Sequence, residues 1–186
     1  MSGSKRNDLG FTLVEVLVAS VILALVLGGA YSMLQSGAVS YKIGEAKIDV
    51  QQNVRVAVAE VAREVRSSRQ ALEMQVVINS VLYSSANPGN IFLSKPDGSV
   101  VLYYWHFPAG SPVAERELRR AVRNPGVTTF SGFNPVAYGI TGVHFAYDRV
   151  PLTASRVVTI KIQGADHEGR TYELETKSSF RLPAGS

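Results

Sequence analysis

The side chains able to do chemistry are few and scattered. The three histidines, His106, His144 and His167, stand far apart, and none belongs to a spacing such as H-E-x-x-H, which sets two imidazoles on one helix face to share a metal. Asp166, His167 and Glu168 are consecutive, but consecutive side chains in a turn diverge and predict no shared metal. Two carboxylates also fall short of the about six to eight oxygens that calcium takes. The chain has no cysteine, which excludes thiolate nucleophiles, thiolate metal sites and a disulfide framework. No serine sits in G-x-S-x-G, and no glycine-rich phosphate loop is present. The expectation is no catalytic set, no cofactor and no metal. Two charged features remain: four arginines, Arg116, Arg119, Arg120 and Arg123, and one carboxylate, Glu15, inside an apolar run.

Glu15 is the anomaly. No charged residue lies between it and Lys42, and Val16 to Leu27 is almost wholly aliphatic. The roughly 22 residues from Leu13 to Leu34 would make a helix of about 33 Å, enough for a bilayer core of about 30 Å. A carboxylate at the centre of such a helix costs about 2.5 to 3.5 kcal/mol, less near an interface, and by default marks a functional contact. Lys5 and Arg6 precede the run and no Lys or Arg follows before Lys42, so the N-terminus is predicted cytoplasmic and the C-terminal bulk on the far side. The run is too long for a secretory signal core, and Tyr31-Ser32-Met33-Leu34-Gln35 behind it is a poor cleavage site.

A short basic leader ending in Gly10, then Phe11-Thr12-Leu13-Val14-Glu15 and about 20 apolar residues, resembles the prepilin signal of type IV pilins and type II secretion pseudopilins. The resemblance implies cleavage by a membrane prepilin peptidase between Gly10 and Phe11 and N-methylation of the new terminus at Phe11. It makes Glu15 the assembly residue, paired with the α-amino group of a neighbouring subunit's Phe11. A buried pair of that kind fixes register more than it adds stability. Glycine at position 10 suits a protease that must draw in extended backbone.

The 186-residue chain carries a formal charge of +4, and removal of Lys5, Arg6 and Asp8 with the leader leaves +3. That mild balance does not announce a nucleic-acid protein. Without disulfides, stability must come from packing. Gly37 and Gly44 are read as soft points in a continuing helix. Val50, Val54, Val58, Val61 and Val65, with Leu72 beyond them, form one apolar stripe that needs a sheet to bury it. A helix from Phe11 to about Ser68 would be about 85 Å long.

From Gln75 the pattern turns to β. Val76 to Ile78 and Val81 to Tyr83 precede the turn cluster Asn87-Pro88-Gly89-Asn90, and Ile91 to Leu93 with Val100 to Trp105 read as a hairpin closed by Pro96-Asp97-Gly98. Tyr103, Tyr104, Trp105 and Phe107 are expected mostly in the core, with an exposed edge. Glu115 to Arg123 fits a short helix or an exposed strand, with Arg119, Arg120 and Arg123 on a solvated face. Ile140 to Tyr147 and Val157 to Ile162 alternate, with Val158, Ile160 and Ile162 on one face, and Tyr172, Leu174 and Thr176 return after a loop at Gly164 to Gly169.

The fold class is therefore α+β, a long N-terminal helix packed on an antiparallel sheet. The expected divisions are a leader at 1–10, a membrane or filament-core helix at 11–34, an amphipathic stem at 35–72 and a β-rich domain at 73–186. Gly142 to Tyr147 and the closing hairpin to Leu182 resemble, more loosely, J-type pseudopilins and W-type minor pilins. The resemblance implies a bacterial inner-membrane protein whose partners are the prepilin peptidase, other pilins and the assembly platform, in a pilus, secretion or competence filament. Two rivals are a DNA-binding competence pilin using Arg116, Arg119, Arg120 and Arg123, and a membrane-tethered exported enzyme using His106 or His167.

Overall fold

The computed structural model describes residues 12–107, 110–166 and 168–181; Gly10, Phe11 and His167 lie outside them. The chain divides into two compact units, Met1–Glu45 and Ala46–Ser186. One α-helix, α1, runs unbroken over Leu13–Ser67. It opens on Thr12, whose hydroxyl and carbonyl both accept from the Glu15 N–H, at 3.3 and 3.1 Å; a Thr side chain in that place satisfies one of the orphan donors of the first turn. Glu15 itself, in the first turn, complements the positive end of the helix.

In the second unit, the stripe formed by Val54, Ala57, Val58, Val61, Ala62 and Val65 is buried, as the valine spacing predicts. The stripe stops at Val65, because the helix ends at Ser67 and the Arg69 N–H donates to the carbonyl of Ser94. Leu72 is thus not on the helix. It lies beyond a short strand, β1 (Gln70–Ala71), and packs in a different cluster.

The remaining strands are β2 (Gln75–Ile78), β3 (Val81–Ser84), β4 (Asn90–Ser94), β5 (Val100–His106), β6 (Glu117–Arg123), β7 (Ser131–Tyr138), β8 (Ile140–Tyr147), β9 (Val157–Ala165) and β10 (Thr171–Ser179). All pairings are antiparallel. They form a five-stranded sheet in the order β1-β4-β5-β6-β7, a three-stranded sheet β10-β9-β8 and the hairpin β2-β3. The β2-β3 turn is made by Asn79 and Ser80, both at positive φ, the backbone of a tight hairpin turn whose twist matches its strands.

Ile91 to Leu93 and Val100 to Tyr104 read as unbroken apolar runs because both faces of the large sheet are covered. Ile91, Leu93, Val101, Tyr103 and Leu118 join the helix stripe and β8 and β9 in one cluster. Phe92, Val100, Leu102, Tyr104 and Ala121 point the other way, into a second cluster with Ile78 and Tyr83 of the hairpin and Phe130. The segment that left helix and strand open is a strand, β6, and an inner one. Leu118 and Ala121 are fully buried, and β6 lies between β5 and β7. Strand β7 carries Gly132 and Pro135 and pairs with β6 through two register shifts, which is tolerated on an edge and protects it from further pairing.

The helix passes close over the sheet at Gly164. A Cβ there would lie 2.8 Å from Val54 Cγ2 and 3.0 Å from the carbonyl oxygen of Gly139, so only glycine lets β9 pass under α1.

Candidate functional site

Glu15 and the apolar segment form the first candidate site. Among the described residues α1 is the helix long and apolar enough to cross a membrane, and its most apolar window is wholly unburied within the chain. Leu13, Leu25, Tyr31, Met33 and Leu34 are each more than two-thirds exposed. A surface this apolar on every side of a helix requires lipid or other apolar helices as its solvent. The Glu15 carboxylate is exposed and makes no ion pair or hydrogen bond among the described residues.

Residues 5–31 match the family model described as the prokaryotic N-terminal methylation motif. The chain is type IV pilin-like. The matched stretch contains Gly10, Phe11 and Glu15, and the motif implies processing by prepilin peptidase and assembly with other pilins. Comparison with curated proteins and with solved structures returns no match. A membrane-anchored pilin is consistent with both the motif and the apolar helix.

The four arginines of this pilin-like chain do not form one surface. Arg120 points from β6 toward α1, its Nη2 3.3 Å from Glu64 Oε2. Arg119 turns to the opposite face and donates from Nε to Glu117. Arg123 lies over the Phe130 ring, 5.7 Å from its centroid. Arg116 precedes the strand, and its carbonyl accepts from the Ile140 N–H at 3.1 Å. Arg119 and Arg120 are two-thirds buried in ion pairs rather than on the solvated face their sequence suggests, because β6 is an inner strand whose two faces are both covered.

A polar cluster between helix and sheet went unseen in the sequence. Glu64 is buried on α1, and its side chain meets Lys95 Nζ at 2.5 Å and Arg120 at 3.3 Å. Lys95 also donates to the Ser67 hydroxyl at 2.6 Å. The Tyr103 hydroxyl, beneath the helix, donates to Glu64 at 3.4 Å and reaches Glu60 at 3.5 Å. Burial alone would raise the Glu64 pKa, but Lys95 and then Arg120 outweigh it and hold the carboxyl below its ordinary value. Burial, with the two glutamates behind it, pushes the Tyr103 phenol well up, so it stays a neutral donor. A signal was present: Glu64 falls between Val61 and Val65, on the edge of the apolar stripe.

Among the described residues no group of three or more His, Asp or Glu side chains converges. Asp166 is buried, but its oxygens accept from the Glu168 and Arg170 N–H groups, each at 2.9 Å, and from Arg170 Nε at 2.7 Å. That carboxylate closes its own hairpin tip. His144 stands exposed on β8 opposite Lys161. His106, at the end of β5, has its pKa lowered by burial and then by Arg119.

Proposed function

We propose that this type IV pilin-like chain is a minor pilin or pseudopilin, a structural and non-catalytic subunit that primes or joins a pilus or secretion pseudopilus once prepilin peptidase has removed residues 1–10. The observation that carries the reading is an unburied apolar helix together with Glu15, which lies within the methylation motif and has no partner among the described residues. Assembly exchanges lipid for sister helices around that segment. The neighbouring subunit's free Phe11 amino group neutralises Glu15, and a misregistered subunit leaves a carboxylate stranded in an apolar bundle.

Mass spectrometry of the protein from its native membrane tests the processing step. A chain beginning at N-methylated Phe11 is expected, and an intact Met1 terminus overturns it. Gly10→Leu should leave an uncut precursor. Glu15→Ala should be cut normally yet fail to enter filaments, whereas normal incorporation removes the pairing argument.

A DNA-receptor reading would draw on Arg116, Arg119, Arg120 and Arg123. Two of these guanidiniums already neutralise carboxylates, so fewer positive charges are left for phosphates. Steeply salt-dependent binding of duplex DNA, lost on removing Arg116 and Arg123, would reinstate it.

A further inference from the structure

Where β5 runs out of the large sheet it borders a cleft of about 300 Å³, between β3 and the Asn87–Asn90 turn. That is the lower end of the volume range for small-ligand sites. Trp105 anchors its aromatic wall. The Trp105 indole N–H donates to the carbonyl of Ile140 at 2.9 Å, and the Phe107 ring stacks on Trp105 with centroids 4.2 Å apart and planes tilted by 33°. Phe107 nevertheless remains 54% exposed, and Leu82 across the cleft 58%, so the stack is not completed by the protein's own core.

The polar groups in the wall are neutral. Tyr83 is 7% exposed, its ring packed on Tyr104 at 4.5 Å, yet its hydroxyl makes no hydrogen bond among the described residues. Asn87 uses its Oδ1 to accept from the Gly89 N–H at 2.8 Å, which leaves its amide nitrogen as a donor without a partner among the described residues. The His106 imidazole is likewise unbonded there, and burial with Arg119 nearby favours its uncharged form. Among the described residues, no carboxylate, ammonium or guanidinium lines the cleft.

We infer that this cleft binds a neutral pyranose unit of an oligosaccharide, its C–H face on the Trp105–Phe107 stack and its hydroxyls on Tyr83, Asn87 and His106. A pyranose presents an apolar face and a rim of hydroxyls, each both donor and acceptor. That matches an uncharged aromatic wall carrying a phenol, an amide and an imidazole. Arg119, close enough to act on Tyr83 and His106, is already paired with Glu117, so neither charge is free for an ionic ligand. A purely apolar ligand would leave the Tyr83 hydroxyl, the Asn87 amide nitrogen and the His106 imidazole without partners.

The chain has a single tryptophan, so its emission reports the site directly. The full chain, in lipid nanodiscs rather than a sugar-headed detergent, is titrated with cellotriose, maltotriose and chitotriose. At least one should shift Trp105 emission saturably in the millimolar range typical of weak sites. Phe107→Ala, at an exposed ring, should weaken that response about fivefold or more. Tyr83→Phe, which keeps the ring, should weaken it too, while Val77→Ser on the hairpin's outer face should not. No saturable shift with any sugar, or an equal shift in Phe107→Ala, overturns the assignment. So does emission that answers only to oligothymidine, which would mark a nucleobase platform, or only to an added second subunit, which would mark a protein contact.

Discussion

Two glutamates on one helix meet opposite fates. Glu15 and Glu64 both sit among aliphatic neighbours on α1, and either carboxylate would be costly if left in an apolar setting without a counter-charge. Glu64 has its counter-charges within the chain, Lys95 from the β4-β5 loop and Arg120 from β6, with the Tyr103 hydroxyl beneath. Glu15 has none among the described residues. The difference separates a charge that seats a helix on its own sheet from one that no described residue of the chain answers. The apolar surroundings differ in the same sense: a single stripe is buried around Glu64, whereas around Glu15 every face is apolar and none is covered.

The comparison is broken most severely by deleting the paired member. Glu64→Ala should cost about 2 to 3 kcal/mol of unfolding free energy, somewhat below the about 3 to 5 kcal/mol for removing one partner of a fully buried ion pair, because Lys95 and Arg120 keep some access to water. Chemical denaturation of the detergent-solubilised full chain, followed by Trp105 emission, measures it; a loss below about 0.5 kcal/mol would mean the cluster is bystander polarity. Gly164→Ala tests the helix seat without touching charge. Its Cβ would press on Val54 and on the Gly139 carbonyl, and about 1 to 3 kcal/mol is expected from overpacking, read by the same denaturation.

Acid should act through Glu64. Its folded pKa lies below the ordinary 4.5, so its stabilisation is fully present above the unfolded pKa and is lost as pH falls through the folded one. Asp148 is held at about 2, chiefly by the Ser155 hydroxyl and the Val157 N–H, and loses its contribution in the same direction at lower pH. Denaturation midpoints measured from pH 6 downward, with Glu64→Gln beside the natural chain, should show a shallower fall in the variant; parallel curves would contradict the assignment. The smallest effect belongs to Glu15→Ala, which should leave the denaturation midpoint of the β-bearing unit unmoved while abolishing filament entry. A clear shift in that midpoint would show that Glu15 has a partner within its own chain.

Much of the architecture was legible because it is written locally. The valine spacing from Val50 to Val65 states a helix with one buried face, and Val158, Ile160 and Ile162 state a half-buried strand. What could not be read depended on neighbours distant in sequence. Leu72 continues the helical spacing, yet the Arg69 N–H turns to Ser94 and the chain leaves the helix first. Strand β7 was missed because Gly132, Asn134 and Pro135 are poor strand formers, and an edge accepts them through register shifts. Residues 115–123 offered too few apolar positions to choose a period, and their place between β5 and β7 supplied the choice.

By itself the sequence determined the N-terminal chemistry: a methylation motif that contains Gly10 and Phe11, an uncharged span long enough for a bilayer, and one carboxylate at Glu15. Those are properties of contiguous residues and need no fold to be expressed. Only the tertiary structure decided that Glu64 and Arg120 meet, that Gly164 must stay bare beneath Val54, and that Trp105 and Phe107 flank a cleft with Tyr83. Each joins residues distant along the chain, and such contacts exist only once the helix is seated and both faces of the sheet are covered.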